Sequence, residues 1–132
     1  MALFSDEIMA SAELSLEGVA SKLTFFQLQL QLLHWQTLSF AEHKATDSLY
    51  EFVSSFKDDV MEKLMGYANR RVKAYTLLPL NTDNSVSIVN NILNFSYSLE
   101  KWAEANKYCD IENLAQELSG AAAKTKYLLT LK

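Results

Sequence analysis

The sequence has few residues that interrupt regular structure. Its 132 residues include one proline, three glycines and one cysteine, whereas 49% are hydrophobic. Because proline and glycine break helices, their scarcity predicts long helices and an all-α fold rather than a β structure. The length is that of one domain with a single core. The lone cysteine, Cys109, excludes an internal disulfide bond and favours a reducing compartment.

Positive charge is also scarce, above all near the N-terminus. The net charge is −4, and the first basic residue is Lys22. Residues 1–10 contain no lysine or arginine and no long apolar run follows them, so we expect no signal peptide, no membrane span and a cytoplasmic protein. Affinity for nucleic acid rises with the number of phosphates that basic residues neutralise, so we expect none here. The basic cluster Arg70, Arg71 and Lys73 is interpreted as a solvated helix end.

Common catalytic motifs are missing as well. The sequence contains no glycine-rich nucleotide loop, no nucleophile elbow and no cysteine pair for zinc. It also contains no Glu-x-x-His motif, with which a four-helix bundle holds two metal ions in its own core. A metal site inside one bundle is therefore not expected.

Apolar residues recur at intervals of three and four along most of the chain, which is typical of helices buried on one face. In the first stretch they are Leu16, Val19, Leu23, Phe26, Leu30 and Leu33. The same period predicts four helices, at about residues 13–38, 41–69, 84–106 and 111–131. Between the second and third lie residues 70–83, which contain the only proline, Pro79, and end in loop-forming residues. Four helices of this length predict a helical bundle.

Five residues with metal-binding side chains follow one another closely: His34, His43, Asp47, Asp58 and Glu62. His43 and Asp47 are four residues apart, so they lie on one face of a helix. Asp58 and Glu62 have the same spacing. Eleven residues, about three turns, separate the two pairs, which places them on one stripe but about 16 Å apart. Because a metal–ligand bond is about 2 Å, one ion does not reach both pairs on one helix.

A two-fold axis would bring the two pairs together. If two copies of the helix packed antiparallel across a point near Phe52 and Val53, the first pair of one copy would meet the second pair of the other. Each of the two equivalent sites would have imidazole and carboxylate ligands, a mixture suited to iron and, less selectively, to zinc or manganese. The spacing therefore predicts a metal site between the subunits of a homo-oligomer that is at least a dimer. The rings of Tyr50, Phe52 and Phe56 face either the second copy or the core.

The five residues and their neighbours resemble the ferroxidase segment of the Dps family, the mini-ferritins named for a DNA-binding protein from starved cells. That family has His-Trp, then a Phe shortly before a second His, then Asp four residues on, Asp eleven further and Glu four after that. The matching residues here are His34-Trp35, Phe40, His43, Asp47, Asp58 and Glu62. The interval from His34 to His43 is shorter than the family's, whereas the other spacings between ligands are kept.

The resemblance implies a ferritin-like four-helix bundle in which residues 70–83 are the long crossover between two parallel helices. Fourteen extended residues reach roughly 45 Å, enough for the length of such a bundle. The resemblance also implies two Fe(II) ions per site, held by the two histidines and Asp47 of one subunit and by Asp58 and Glu62 of its two-fold mate. Hydrogen peroxide or oxygen would oxidise them to Fe(III). The family's connection is longer and holds a small helix, for which this chain has no room, and this puts the family's twelve-subunit shell in doubt.

A different class of function stays open. A lone acidic residue on a helix is usually only solvated, and His34, beside Leu33 and Trp35, has the alternative role of a hydrogen-bonded core histidine. The alternative is a ferritin-like helical scaffold without catalysis that acts as a protein-binding or regulatory module. Stoichiometric metal binding and Fe(II) oxidation distinguish the two.

Overall fold

The computed structural model describes residues 14–131, and these form four α-helices. The helices are α1 (Leu16–Gln36), α2 (Phe40–Ala68), α3 (Ser85–Asn106) and α4 (Cys109–Leu128). No β-strand occurs within the described residues, which confirms the all-α prediction. The predicted helix ends lie within three residues of the observed ones, apart from the start predicted at residue 13, which lies outside the described residues. None of the described helices is long and apolar enough to cross a membrane.

Polar side chains mark where three of the helices begin. Ser15, Ser39 and Asn84 are the N-caps of α1, α2 and α3, and each side chain accepts a hydrogen bond from the backbone N–H three residues on. Such a cap satisfies one of the N–H groups that a helix start leaves without a partner. Asn69 and Lys107 end α2 and α3 in the left-handed region, with φ of 55° and 61°. Local sequence therefore sets most of the helix boundaries.

All four helices contribute to one apolar core. α1 packs against α2, α3 packs against α4, and α2 also packs against α4, while α1 contacts α3 more lightly. Residues without exposed surface come from every helix and include Leu23, Val53, Leu99 and Leu118. The described helices thus form a four-helix bundle. On α2, Phe56 is buried in the core of the bundle, and Tyr50 and Phe52 pack against the core but keep part of their surface exposed.

Residues 70–83 form an extended strap along the outside of α1. Near its start, the backbone oxygen of Thr76 accepts a 2.7 Å hydrogen bond from the hydroxyl of Ser21. Near its end, the buried side chain of Gln29 donates to the backbone oxygen of Asn81 and accepts from its N–H. The order of these contacts shows that the strap follows α1 from the beginning of that helix towards its end.

The strap returns the chain to the end of the bundle at which α2 begins. Ser85, at the start of α3, donates a 2.6 Å hydrogen bond to Glu42 in the first turn of α2. At the opposite end of the bundle, the hydroxyl of Tyr67 accepts a hydrogen bond from the backbone N–H of Asp110 in the first turn of α4. α2 and α3 therefore run in the same direction, and α4 runs antiparallel to α2.

An ion pair fixes the start of the strap to α1. The guanidinium group of Arg70 donates two hydrogen bonds to the Glu17 carboxylate, at 2.8 and 2.9 Å, and the backbone N–H of Lys73 donates a third at 2.8 Å. These donors, Arg70 above all, stabilise the charged carboxylate and lower the pKa of Glu17 from 4.5 to about 2. The basic cluster at the end of α2 thus makes a specific anchoring contact.

Candidate metal centre

The two histidines of the chain lie side by side where α1 turns into α2. His34 is in the last turn of α1, and His43 is in the first turn of α2. The turn between the helices consists of residues 37–39 alone, so it holds the two helix ends close together. The imidazole rings stack with their centroids 3.8 Å apart and their planes inclined by 19°.

Each histidine is oriented by the backbone of the other. His34 Nδ1 lies 3.1 Å from the carbonyl oxygen of His43, and His43 Nδ1 lies 3.1 Å from the carbonyl oxygen of His34. A carbonyl oxygen only accepts hydrogen bonds, so both Nδ1 atoms carry a proton. In the neutral rings the lone pair is then on Nε2, the nitrogen that remains for a metal ion. The His34 carbonyl is in the last turn of α1, where carbonyls lack a helical partner, so the His43 ring also caps α1.

Asp47 lies one turn after His43 on α2 and joins the histidine pair. Its Oδ1 atom is 4.0 Å from His34 Nε2. Two atoms bound to one ion at about 2 Å each are at most about 4 Å apart, so this nitrogen and this oxygen span a gap of metal size. The Asp47 side chain is half exposed, which leaves the gap open to solvent. The structure therefore places Asp47 beside His34, which in turn stacks on His43.

The stacking of the rings limits how they bind metal. The Nε2 lone pair lies in the plane of its ring, and two nearly parallel rings with centroids 3.8 Å apart do not converge on one ion at about 2 Å. Accordingly, residues 14–131 contain no group of three or more His, Cys, Asp or Glu side chains placed to hold a metal ion. Within the described residues, the three side chains predicted for one subunit therefore do not form a metal-binding group by themselves.

Asp58 and Glu62 lie further along α2, and Asp58 is about three turns, or about 16 Å along the helix axis, beyond Asp47. Both side chains are exposed. Among the described residues, neither has an ion-pair partner. Within one chain they do not meet the histidines, as the spacing predicted.

The neighbouring lysine binds other carboxylates. Lys63 Nζ lies 3.2 Å from Asp59 and 2.6 Å from Asp110, so it links α2 to α4. The hydrogen bonds to these two carboxylates, the one to Asp110 first, raise the pKa of Lys63. Asp59 is therefore occupied in a structural ion pair, whereas Asp58 beside it remains available to a ligand.

Glu42 holds the turn in place, and the sequence analysis did not single it out. Its carboxylate accepts hydrogen bonds from the Thr37 hydroxyl in the turn and from Ser85 at the start of α3. The signal that identifies it is the Ser39-x-x-Glu42 spacing, the capping box of a helix start. Ser39 keeps its half of that pattern, since its hydroxyl accepts from the Glu42 N–H at 3.2 Å. The Glu42 carboxylate instead links the turn to the start of α3, and this turn connects the two helix ends that carry His34 and His43.

Sequence comparisons place most of the chain in one family. Residues 34–129 match the model of a family of unknown function, DUF5856. The chain belongs to this family. A relative in Enterobacteria phage T4, an uncharacterized 14.6 kDa protein in the mobD-ri intergenic region, is 27% identical over 103 residues, which are 75% of this chain and 75% of the phage protein. No solved structure matches the chain significantly.

The DUF5856 match begins at His34 and includes the whole of α2, α3 and α4. All five predicted metal ligands therefore lie within the DUF5856 region, as does the strap. Most of α1 precedes it, including Glu17 and Ser21, which anchor the strap.

Proposed function

We propose that this chain binds Fe(II) at sites shared between two copies and oxidises it with hydrogen peroxide or oxygen, as in the Dps family that the sequence resembles. The observation that carries the proposal is the reciprocal hydrogen bonding of His34 and His43, which leaves a lone pair on both Nε2 atoms, with that of His34 4.0 Å from Asp47 Oδ1. A histidine held through Nδ1 by a carbonyl oxygen has the usual orientation of a metal ligand. Zinc or manganese suits the same ligands less selectively.

The second half of each site comes from the two-fold mate. A two-fold axis that meets α2 between Phe52 and Val53 brings the mate's Glu62 towards His43 and the mate's Asp58 towards Asp47. The exposure of both carboxylates in the single chain supports this arrangement, because they are accessible to a second copy. Two equivalent sites result, and each takes imidazoles from one copy and carboxylates from both.

The proposed axis crosses α2 at the predicted position, near Phe52 and Val53, but other side chains are exposed there. Val53 has no exposed surface, and Phe52 packs against the core. The exposed side chains at this level are Glu51 and Ser55. Glu51, which faces Ser54 of the second copy across this axis, would lie in the contact, whereas the buried Val53 would not.

Two ions per site agree with both the geometry and the chemistry. The stacked rings carry their Nε2 lone pairs in separate planes, so each histidine serves its own ion. Peroxide takes up two electrons and each Fe(II) gives one, so a pair of ions matches one peroxide. Asp47, together with the carboxylates of the mate, stabilises the higher charge of Fe(III) and leaves positions open for the oxidant. Iron is the substrate in this reaction.

The charges of the two half-sites explain why a cation belongs between them. Asp47 of one copy would approach Asp58 of the other, and two like charges about 4 Å apart repel by about 1 kcal/mol even in water. Bound Fe(II) reverses the sign of this interaction, because each carboxylate is then attracted to the ion. The proposed contact is therefore most stable with its substrate bound.

The proposal includes a ferritin-like architecture of one domain, with the strap as its crossover. The path of the strap along α1 and the common direction of α2 and α3 support it. Residues 70–83 contain no helix, so a twelve-subunit shell stays in doubt and a dimer is the proposed assembly. The net charge of −4 and the single cysteine favour a cytoplasmic protein that does not bind nucleic acid.

Anaerobic titration of the metal-free protein with Fe(II) tests the proposal. We expect saturable binding of two Fe(II) per chain in the wild type, and loss of binding in both His43→Ala and Asp58→Ala. Asp59→Ala is the matched control, because Asp59 is an exposed acid next to Asp58 whose partner is Lys63. The control should keep the wild-type stoichiometry. Adding peroxide to the loaded wild type should then form Fe(III).

A folded helical protein that binds no iron would refute the ferroxidase proposal. An equal loss of binding in Asp59→Ala and Asp58→Ala would also contradict it, since the effect would then reflect general negative charge. Circular dichroism of each variant shows whether the helices are intact.

A non-catalytic scaffold that binds another protein is the second candidate. The exposure of Trp35, Leu38 and Phe40 around the turn between α1 and α2 favours it, since grouped apolar side chains in solvent mark contact surfaces. This candidate predicts no stoichiometric iron binding, so the same titration decides between the two.

A further inference from the structure

The strap divides the outer face of α1 into two halves. Along the first half, Glu17 and Ser21 bind the strap, and the Thr24 hydroxyl lies 3.2 Å from the hydroxyl of Tyr75. Along the second half the strap has moved aside to Gln29. One half of this face is therefore covered by the strap, and the other half is bare.

The bare half of α1 is apolar. Trp35 is 69% exposed and Leu28 is 36% exposed, and Leu32 between them is half-buried. These three residues are spaced by four and three and so form one stripe along the helix. An exposed tryptophan in line with two leucines forms an apolar patch, and such a patch on a protein surface marks a contact site.

The outer surface of the strap is apolar as well. Leu77 is 62% exposed, and Tyr75, Leu78 and Leu80 are exposed to a smaller extent. Surface loops are usually polar, because their backbone and side chains face water. The strap thus presents a second apolar surface, which lies over the first half of the outer face of α1.

The hydrogen bonds between α1 and α2 fix where these two surfaces lie relative to the proposed axis. Gln27 donates to Ser54 at 3.1 Å, and Gln31 donates to the Tyr50 hydroxyl at 3.4 Å. The proposed axis meets α2 between Phe52 and Val53, a level between Tyr50 and Ser54, so Leu28, between the two glutamines, lies beside it. A two-fold rotation at this level exchanges the bare half of α1 with the half that carries the strap.

The charges along α2 fit the same rotation. Residues at equal distances from the axis, which meets α2 between Phe52 and Val53, face each other, and this pairs Glu51 with Ser54 and Ser48 with Lys57. The like-charged pair of Asp47 and Asp58 lies at the proposed iron sites. The other two pairs, Glu51 with Ser54 and Ser48 with Lys57, bring no like charges together.

We propose that the outer face of α1, together with the strap, is a homodimer interface in which Trp35 and Leu28 of one copy pack against the strap of the other. A second copy of this chain covers the bare half of α1, because the apolar strap that would pack against it lies on the same face and the two-fold axis brings the two surfaces together. The inference rests on the proposed function for the position of that axis. It adds an apolar contact that holds the dimer together without metal.

Sedimentation of the metal-free chain in the presence of a chelator tests the interface. We expect a dimer for the wild type, and a dissociation constant raised by about tenfold or more in Trp35→Ser and in Leu77→Ser, because each removes a large buried apolar side chain. Tyr127→Ser is the matched control, since Tyr127 on α4 is 62% exposed, like Leu77, but lies on another face. It should leave the dissociation constant unchanged.

A monomeric wild type at a chain concentration of about 0.1 mM would overturn the inference. Equal dissociation constants for Leu77→Ser, Tyr127→Ser and the wild type would overturn it too. Retained helical circular dichroism shows that a weakened dimer is not caused by unfolding.

Tryptophan fluorescence locates the contact independently. Trp35 is exposed in the single chain and would be buried in the dimer, whereas Trp102 packs against the core in both states. Diluting the metal-free wild type should therefore shift the emission to longer wavelength, and Trp35→Phe should remove this shift while keeping the dimer. A dimer that dissociates without any shift would place the interface elsewhere.

Asp58→Ala separates this inference from the proposed function. The variant should lose iron binding yet dimerise in chelator at least as tightly as the wild type, because it also removes the repulsion between Asp58 and Asp47. If the wild type binds iron but is monomeric without metal, the apolar interface is wrong and the iron site stands. If it is a dimer that binds no iron, the iron site is wrong and the interface stands.

Discussion

Mixing two inactive variants gives the sharpest test of a site shared between copies. His43→Ala damages the imidazole half of each site, and Asp58→Ala damages the carboxylate half. A dimer of either variant alone has no intact site, because each of its two sites contains one damaged half. In a mixed dimer both lesions fall in the same site, and the other site combines the intact imidazoles of one chain with the intact carboxylates of the other.

The magnitude follows from this symmetry. Random association of equal amounts gives mixed dimers in about half of the population, and one of their two sites is intact, so the mixture should recover about a quarter of the wild-type iron binding. The two chains are combined in denaturant and refolded together, and Fe(II) binding is titrated without oxygen. Peroxide-driven formation of Fe(III) should recover to the same fraction.

A second mixture is the control. His43→Ala combined with Asp47→Ala should recover nothing, because both lesions lie in the same half and every site of a mixed dimer keeps one of them. Recovery in this control, or none in the first mixture, would refute the shared site. The design does not depend on absolute affinity, since each mixture is compared with its own components.

Two further predictions concern the strap. The pKa of Glu17 is lowered from 4.5 to about 2 in the folded chain, so the stability that its charge contributes is complete above about pH 4.5 and is lost as the pH falls towards 2. Glu17→Gln should therefore be less stable than the wild type at neutral pH, and the difference in their urea midpoints should shrink between about pH 4.5 and 2. A difference that stays constant with pH would contradict this assignment. Gln29→Ala leaves the N–H and carbonyl of Asn81 without their partner and should lower the free energy of unfolding by about 1–3 kcal/mol, whereas the exposed Gln36→Ala should change it by less than about 0.5 kcal/mol.

The helices and half of the candidate site were predictable from sequence because they depend on local spacing. Few helix-breaking residues and a regular apolar period give four helices, and a short turn between His34 and His43 brings these residues together whatever the packing. The ring stacking was not predictable, since it depends on carbonyl groups at a helix end and at a helix start that the fold brings within 3.1 Å of the opposing nitrogens. The role of Glu42 depends equally on Ser85, which lies far along the chain.

The path of the strap along α1 was also not predictable from the sequence. Proline and polar residues predict an extended segment over 70–83, but its contacts are single hydrogen bonds from scattered residues of α1, such as Ser21 and Gln29. No periodic pattern encodes such contacts. Leucine side chains are usually buried, yet the fold leaves Leu77 and other apolar side chains of the strap exposed.

The distribution of positive charge around α2 links the candidate site to the rest of the fold. Lys63 lies one residue from Glu62, yet its ammonium group contacts Asp59 and Asp110, where it joins α2 to α4. The exposed carboxylates of Asp58 and Glu62 therefore keep their negative charge on the outer face, at a level where a two-fold mate would supply imidazole nitrogens. Asp58 would face Asp47 of the other copy, and these two carboxylates repel unless a cation lies between them. In the proposed dimer this repulsion would favour a bound metal ion, because Lys63, next to Glu62, pairs with Asp59 and Asp110 instead.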